Sequence, residues 1–202
     1  MSPRPAAAVF AVAVGIWSTL ALWAEVTSPA TNAATQIQSQ FLKAGSGGTA
    51  GFTRLDSRQI GLNFTNRLEG NAFLTNAVAN NGSGLAIGDV DGDGRPDIYL
   101  CALQGPNRLF RNRGDLRFEE ETIGAAACRD QLSTGAVLVD VDGDGDLDLL
   151  VNGVASGTRL FLNSGKGFFS EVTNSGLSRS ATPMSMALAD IDGDGDLVLS
   201  LE

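Results

Sequence analysis

The sequence predicts an all-β protein assembled from four-stranded units of about fifty residues, the layout of β-propeller blades. Three observations predict it. A shift of 51 residues lays Gly84–Gly94 on Gly135–Gly145, and a shift of 50 lays that segment on Ser185–Gly195. Each unit holds short apolar-rich runs divided by turn residues. No window carries a sustained 3.6-residue apolar stripe.

The strands of the first unit are expected over Leu85–Asp89, Asp97–Ala102, Arg108–Asn112 and Leu116–Glu121. Between them lie an Asp-rich loop, Gly105-Pro106-Asn107, and Arg113-Gly114-Asp115, all of them turn chemistry. The second unit keeps the register: Arg108-Leu109-Phe110 falls on Arg159-Leu160-Phe161, Asn112 on Asn163, Gly114 on Gly165, Phe118 on Phe169 and Thr122 on Thr173. Its turns are Ser156-Gly157 and Ser164-Gly165. The repeats therefore run over 84–134, 135–184 and 185–202, the last a third of a unit. A blade buries its faces only against neighbouring blades, and a ring takes about four to eight of them. Residues 52–202 thus read as an incomplete propeller, and the chain as an N-terminal fragment of a longer protein.

Ahead of the repeats, Arg4 precedes an uncharged run, Pro5–Ala24, which ends at Leu22-Trp23-Ala24 before Glu25. This is the pattern of a secretory signal peptide over 1–24. A run of that length can also span a bilayer, so an uncleaved signal anchor is the alternative and the only membrane attachment expected. Either places the rest of the chain outside the cytoplasm, whether secreted, periplasmic or on the cell surface. Residues 25–51, rich in Ser, Thr, Ala, Asn and Gly, read as a flexible linker.

The 202 residues carry a net charge of −9, and more than half of the 23 acids fall in three windows, Asp89–Asp97, Asp140–Asp148 and Asp190–Asp196. Elsewhere acids and bases nearly balance, so the acidity is a set of local sites and nucleic acid is excluded as a partner. With no histidine, Ser-His-Asp and Cys-His catalysis and His-ligated metals are excluded too. Cys101 and Cys128 either form one extracytoplasmic disulfide or remain buried free thiols.

The three acidic windows have the spacing of Ca²⁺ loops. In the first, Asp89, Asp91, Asp93 and Asp97 stand at positions 1, 3, 5 and 9, and Arg95 at position 7 offers its backbone carbonyl. Alternate side chains face inward, Gly94 at position 6 permits the sharp bend, and Ca²⁺ takes six to eight hard oxygens. The second loop offers Asp140, Asp142, Asp144, Asp146 (by its carbonyl) and Asp148, and is the fullest match. The third offers Asp190, Asp192, Asp194 and Asp196 (by its carbonyl), but Val198 stands at position 9, so weaker binding is expected. Clustered carboxylates repel one another unless a cation joins them, which argues against plain polar turns. An EF-hand is excluded, since position 12 is Leu100 or Val151 within strand-like sequence rather than a bidentate Glu between helices.

Gly88-Asp-Val-Asp-Gly-Asp-Gly-Arg-Pro-Asp-Ile98 and its two relatives resemble the FG-GAP (VCBS-type) repeats of integrin α-subunit propellers and of many secreted bacterial proteins. The strands Asn107–Asn112 and Thr158–Asn163, the ending Phe169–Thr173, and the leading segment Phe52–Phe64 are similar to the bacterial cartilage acidic protein (ASPIC/UnbV-associated) family. Val198 departs from that pattern. The resemblance implies a seven-bladed propeller in which calcium loops act as structural staples. It implies a secreted or surface-attached scaffold for adhesion to a protein or glycan partner. No catalytic residue is expected: Glu119-Glu120-Glu121 alternates faces along a strand, and Cys128 beside Arg129 lacks a base. The alternative is part of a larger lyase- or hydrolase-type propeller whose catalytic residues lie elsewhere.

Overall fold

The computed structural model describes residues 53–68, 70 and 82–201. The expected leader and linker lie outside these residues. Among the described residues, ten strands form three antiparallel sheets: β1 (Leu85–Gly88), β2 (Asp97–Leu100), β3 (Arg108–Asn112) and β4 (Phe118–Glu121) in order β1-β2-β3-β4; β5 (Ser133–Val139), β6 (Asp148–Gly153), β7 (Gly157–Asn163) and β8 (Phe169–Glu171) in order β5-β6-β7-β8; and the pair β9 (Met186–Ala189) and β10 (Val198–Leu201). Among the described residues there is no α-helix, only a single 3-10 turn at Gly124–Ala127, and no helix long and apolar enough to cross a membrane.

The meander follows from the loops. Each sheet opens with a hairpin whose connection is an Asp-Gly loop, and the three hairpins share one register: Gly88 pairs with Asp97, Val139 with Asp148, Ala189 with Val198. Three expected boundaries move: β1 ends at Gly88 rather than Asp89, β2 ends at Leu100 rather than Ala102, and the start of β4 shifts from Leu116. Asp115 and Leu116 both take left-handed backbone (φ 50 and 54), and Arg117 N–H closes on Gly114 O at 2.9 Å, so the turn extends two residues further and β4 starts at Phe118.

The second sheet is apolar on both faces because it packs between two neighbours. Ala86, Tyr99 and Leu109 of the first sheet meet Ala136, Leu138, Leu149, Val151 and Phe161 of the second. The opposite face of the second sheet, Val137, Val139, Leu150 and Leu160, meets Met186, Leu188, Leu199 and Leu201 of the pair. β6 is accordingly buried at all six residues. A small residue fits where the sheets come closest: a Cβ on Gly88 would lie 2.6 Å from Cδ1 of Leu147 and 3.2 Å from Cδ1 of Leu138. By the repeat register Leu85 and Ile87 correspond to Ala136 and Leu138, yet they are 54% and 60% exposed. The first sheet thus shows an uncovered apolar face of the kind its neighbours bury.

Below the first interface, Tyr99 donates its hydroxyl to Ala126 O (2.5 Å) and accepts from Asn107 Nδ2 (2.8 Å), so the buried ring keeps its polar end satisfied. The segment before the repeats is stitched to the first sheet: Phe118 N–H bonds Ile60 O at 2.7 Å, and Leu103 N–H bonds Asn66 Oδ1 at 3.0 Å.

Cys101 and Cys128 are free thiols, and both are buried. Burial pushes the Cys128 thiol up to about 11, and burial together with Cys128 itself raises Cys101 further. A thiolate is the reactive form. At pH 8 the native protein will therefore resist a disulfide reagent such as DTNB, and guanidinium unfolding will release both thiols. Rapid labelling of the native chain would show that this core opens readily.

Candidate metal centres

Each Asp-Gly loop is organised by its first aspartate. Asp89 accepts Gly92 N–H (2.9 Å) and Asp93 N–H (3.2 Å) on Oδ1 and Gly94 N–H (2.7 Å) on Oδ2. Asp140 accepts Gly143 (2.8 Å) and Gly145 (3.0 Å), and Asp190 accepts Gly193 (2.7 Å) and Gly195 (3.1 Å), in the same way. These amides can turn inward because both glycines of every loop have positive φ, for instance 74 and 82 at Gly92 and Gly94. Burial pushes the Asp89 carboxyl up, but the backbone donors at Gly94, Asp93, Gly92 and Asp91 outweigh it and hold the group below the usual carboxylate range.

Three carboxylates converge in each loop, with ligand atoms within 4.8 Å of one another: Asp89, Asp91 and Asp97; Asp140, Asp142 and Asp148; Asp190, Asp192 and Asp194. The first two clusters join positions 1, 3 and 9. The third lacks a carboxylate at Val198 and uses position 5 instead. In the first two loops position 5 serves the backbone: Asp93 accepts Arg95 N–H (2.9 Å) and pairs with the Arg95 guanidinium, while Asp144 accepts Asp146 N–H (2.9 Å). Asp194 likewise accepts Asp196 N–H at 2.9 Å. Of the position-7 residues, the Arg95 side chain also donates to Asn112 O (2.9 Å), and the Asp146 carboxylate lies over the turn at Gly165, where a Cβ would fall 2.3 Å from Oδ2.

The position-9 aspartates have a second duty that the sequence pattern does not reveal. Asp97 and Asp148 are fully buried. Asp148 accepts Val141 N–H (3.0 Å) and Asn163 N–H (2.8 Å), and Asp97 accepts Val90 N–H (3.2 Å) and Asn112 N–H (2.8 Å), so each ties its loop to the third strand of its sheet. Burial raises the Asp148 carboxyl, the two amides lower it, and Asp142 and Asp144 raise it again. Asn163 carries the tie across to the first sheet, donating from Nδ2 to Leu147 O (3.0 Å) and Val90 O (2.8 Å). The recurrence of Asn112 as Asn163 is the signal that could have found it.

The donor set suits Ca²⁺: carboxylate oxygens only, converging without thiolate or imidazole. At the opposite ends of the strands, the β2–β3, β4–β5 and β6–β7 connections line an open, shallow cleft of about 500 Å³ that includes Leu103, Arg129, Asp130, Gln131 and Ala155.

Antiparallel four-stranded units, each opened by an Asp-Gly loop and stacked face to face, define a propeller-type repeat protein. The FG-GAP-like repeat model matches residues 89–151 and 140–199, and the chain belongs to that family. It is also similar to cartilage acidic protein 1 of Xenopus tropicalis, 33% identical over 84 residues. That alignment takes in 40% of this chain and 13% of the frog protein.

Proposed function

We propose that this chain is an extracytoplasmic calcium-binding repeat scaffold that serves adhesion, engaging a protein or glycan partner. The convergence of three carboxylates in each of three repeated loops carries the reading. Asp89, Asp91 and Asp97, then Asp140, Asp142 and Asp148, would hold two ions, and the Asp190 group a third more weakly. A bound ion would supply the positive charge that the clustered carboxylates need. Because the loops join strands and have no helical lever, the ions act as staples rather than as a sensor. The cleft at the far end offers a partner-contacting surface independent of them.

Thermal unfolding of the full chain in CaCl2 and in EGTA tests the metal half. An ion that binds only the folded state adds about 2.7 kcal/mol at a hundredfold excess over Kd. Asp142→Ala will remove much of that gain, whereas Asp130→Ala, an exposed residue outside the loops paired with Arg159 at 2.7 Å, will leave it intact. Equal unfolding temperatures in calcium and chelator would remove the reading. Retention of the labelled chain on immobilised glycans and matrix proteins, compared with and without calcium, tests the partner half; uniform absence of retention refutes it.

A further inference from the structure

The first two loops share their donor pattern but not their surroundings. Arg111, on β3, extends into the first loop with only 5% of its side chain exposed. Its Nη1 lies 2.9 Å from Asp91 Oδ2 and 3.2 Å from Asp97 Oδ2, two of the three converging carboxylates. Nη2 donates to Lys166 O of the second sheet at 2.7 Å. Nε makes no hydrogen bond, and Glu121 Oε2 is 4.0 Å away. The second sheet leaves room for the guanidinium at Gly167 (φ 71), where a Cβ would fall 1.9 Å from Nη2. At the equivalent place in the second unit stands Leu162, and no described ion pair reaches Asp140, Asp142 or Asp148.

We propose that Arg111 is a built-in counter-cation of the first loop, so that calcium fills the second loop first and enters the first only by displacing a guanidinium. The inference rests on the calcium reading above. Two carboxylates that already share one cation at hydrogen-bond distance attract a divalent ion less, and a buried positive charge beside the site repels it. The first loop is therefore held together without metal, while the second keeps three uncompensated carboxylates and draws its stability from the ion. The Lys166 contact makes the same guanidinium a clamp between sheets, which couples the first loop to the interface.

Calorimetric titration of the full chain with CaCl2 tests this in two backgrounds. Asp142→Ala with Asp190→Ala leaves the first loop intact, and Asp91→Ala with Asp190→Ala leaves the second. The second-loop chain is expected to bind at least about tenfold more tightly. Arg111→Leu, which copies Leu162, and Arg111→Gln, which keeps a donor for Lys166 O but no charge, will each tighten the first loop by about tenfold. If Leu disrupts the fold, Gln decides. Unchanged or weaker first-loop binding in the Arg111 variants, with the second loop still binding, overturns the proposal alone. Absence of binding in the second-loop chain overturns the calcium reading and this inference with it.

Discussion

Asp148→Ala will destabilise the fold by about 2–5 kcal/mol even in chelator, and will abolish calcium binding at the second loop. Two backbone amides, the part-buried Val141 N–H and the buried Asn163 N–H, lose their acceptor, at about 1–3 kcal/mol for a stranded buried donor and less for the half-buried one. Water does not easily replace it at Asn163, because Asp148 itself is fully buried there. Asn163 anchors the loop to Val90 of the first sheet, so the damage extends to the interface. Two companions separate the duties of this carboxylate. Asp148→Asn preserves shape and one acceptor oxygen, so it will cost less stability yet lose calcium. Asp142→Ala removes an exposed ligand whose one described bond, from Asp144 N–H, is local and 3.3 Å long, so it will lose calcium with little change in chelator. Urea unfolding in EGTA, followed by calcium titration, reads both. Equal stability of Asp148→Ala and Asp142→Ala in EGTA would show that the buried tie is worth nothing.

The contrast between those variants shows where sequence reasoning reaches and where it stops. A repeat register is legible because it depends on residue types at fixed offsets, so the four-strand units and the hairpins around the loops follow from it directly. Which carboxylates converge is less legible. Inward alternation points all three position-5 aspartates at the ion, and Asp194 does join its trio, whereas in the first two loops the buried position-9 carboxylate completes the trio in place of Asp93 and Asp144. Arg111 is illegible for a different reason. On an isolated strand an arginine reads as a solvated residue, and it becomes an interior charge only when the next sheet closes over it with a glycine at 167. Likewise nothing local reveals that Asp115 and Leu116 take left-handed backbone, since neither is glycine. Residue types alone also leave open whether Cys101 and Cys128 join; the structure buries them as separate thiols.

Gly157→Ala is expected to be the most damaging single methyl in the second sheet, at about 3–5 kcal/mol. Sequence alone marks Ser156-Gly157 as a turn, and the turn requirement is real, since Gly157 has φ 69. Left-handed backbone costs a residue with a Cβ about 1–2 kcal/mol. The larger penalty comes from the returning chain. A Cβ here would lie 1.7 Å from Ser178 O and 2.8 Å from Arg179 Cα, and backbone cannot rotate aside as a side-chain tip can. Relieving the overlap means pushing the 178–181 segment away, and that segment supplies Ala181 O to Gly157 N–H (2.9 Å) and Ser178 O to Thr158 N–H (3.1 Å). Leu177, buried in the second interface beside Leu150 and Leu160, would be pulled out with it. Gly135→Ala is the matching control: it also sits in a strand of this sheet, has no positive φ, and nothing lies within 4 Å of the point its methyl would occupy. Its unfolding free energy in urea will stay within about 1 kcal/mol of the parent. If the two variants unfold alike, the close approach of the 178–181 backbone is not what holds the edge of this sheet.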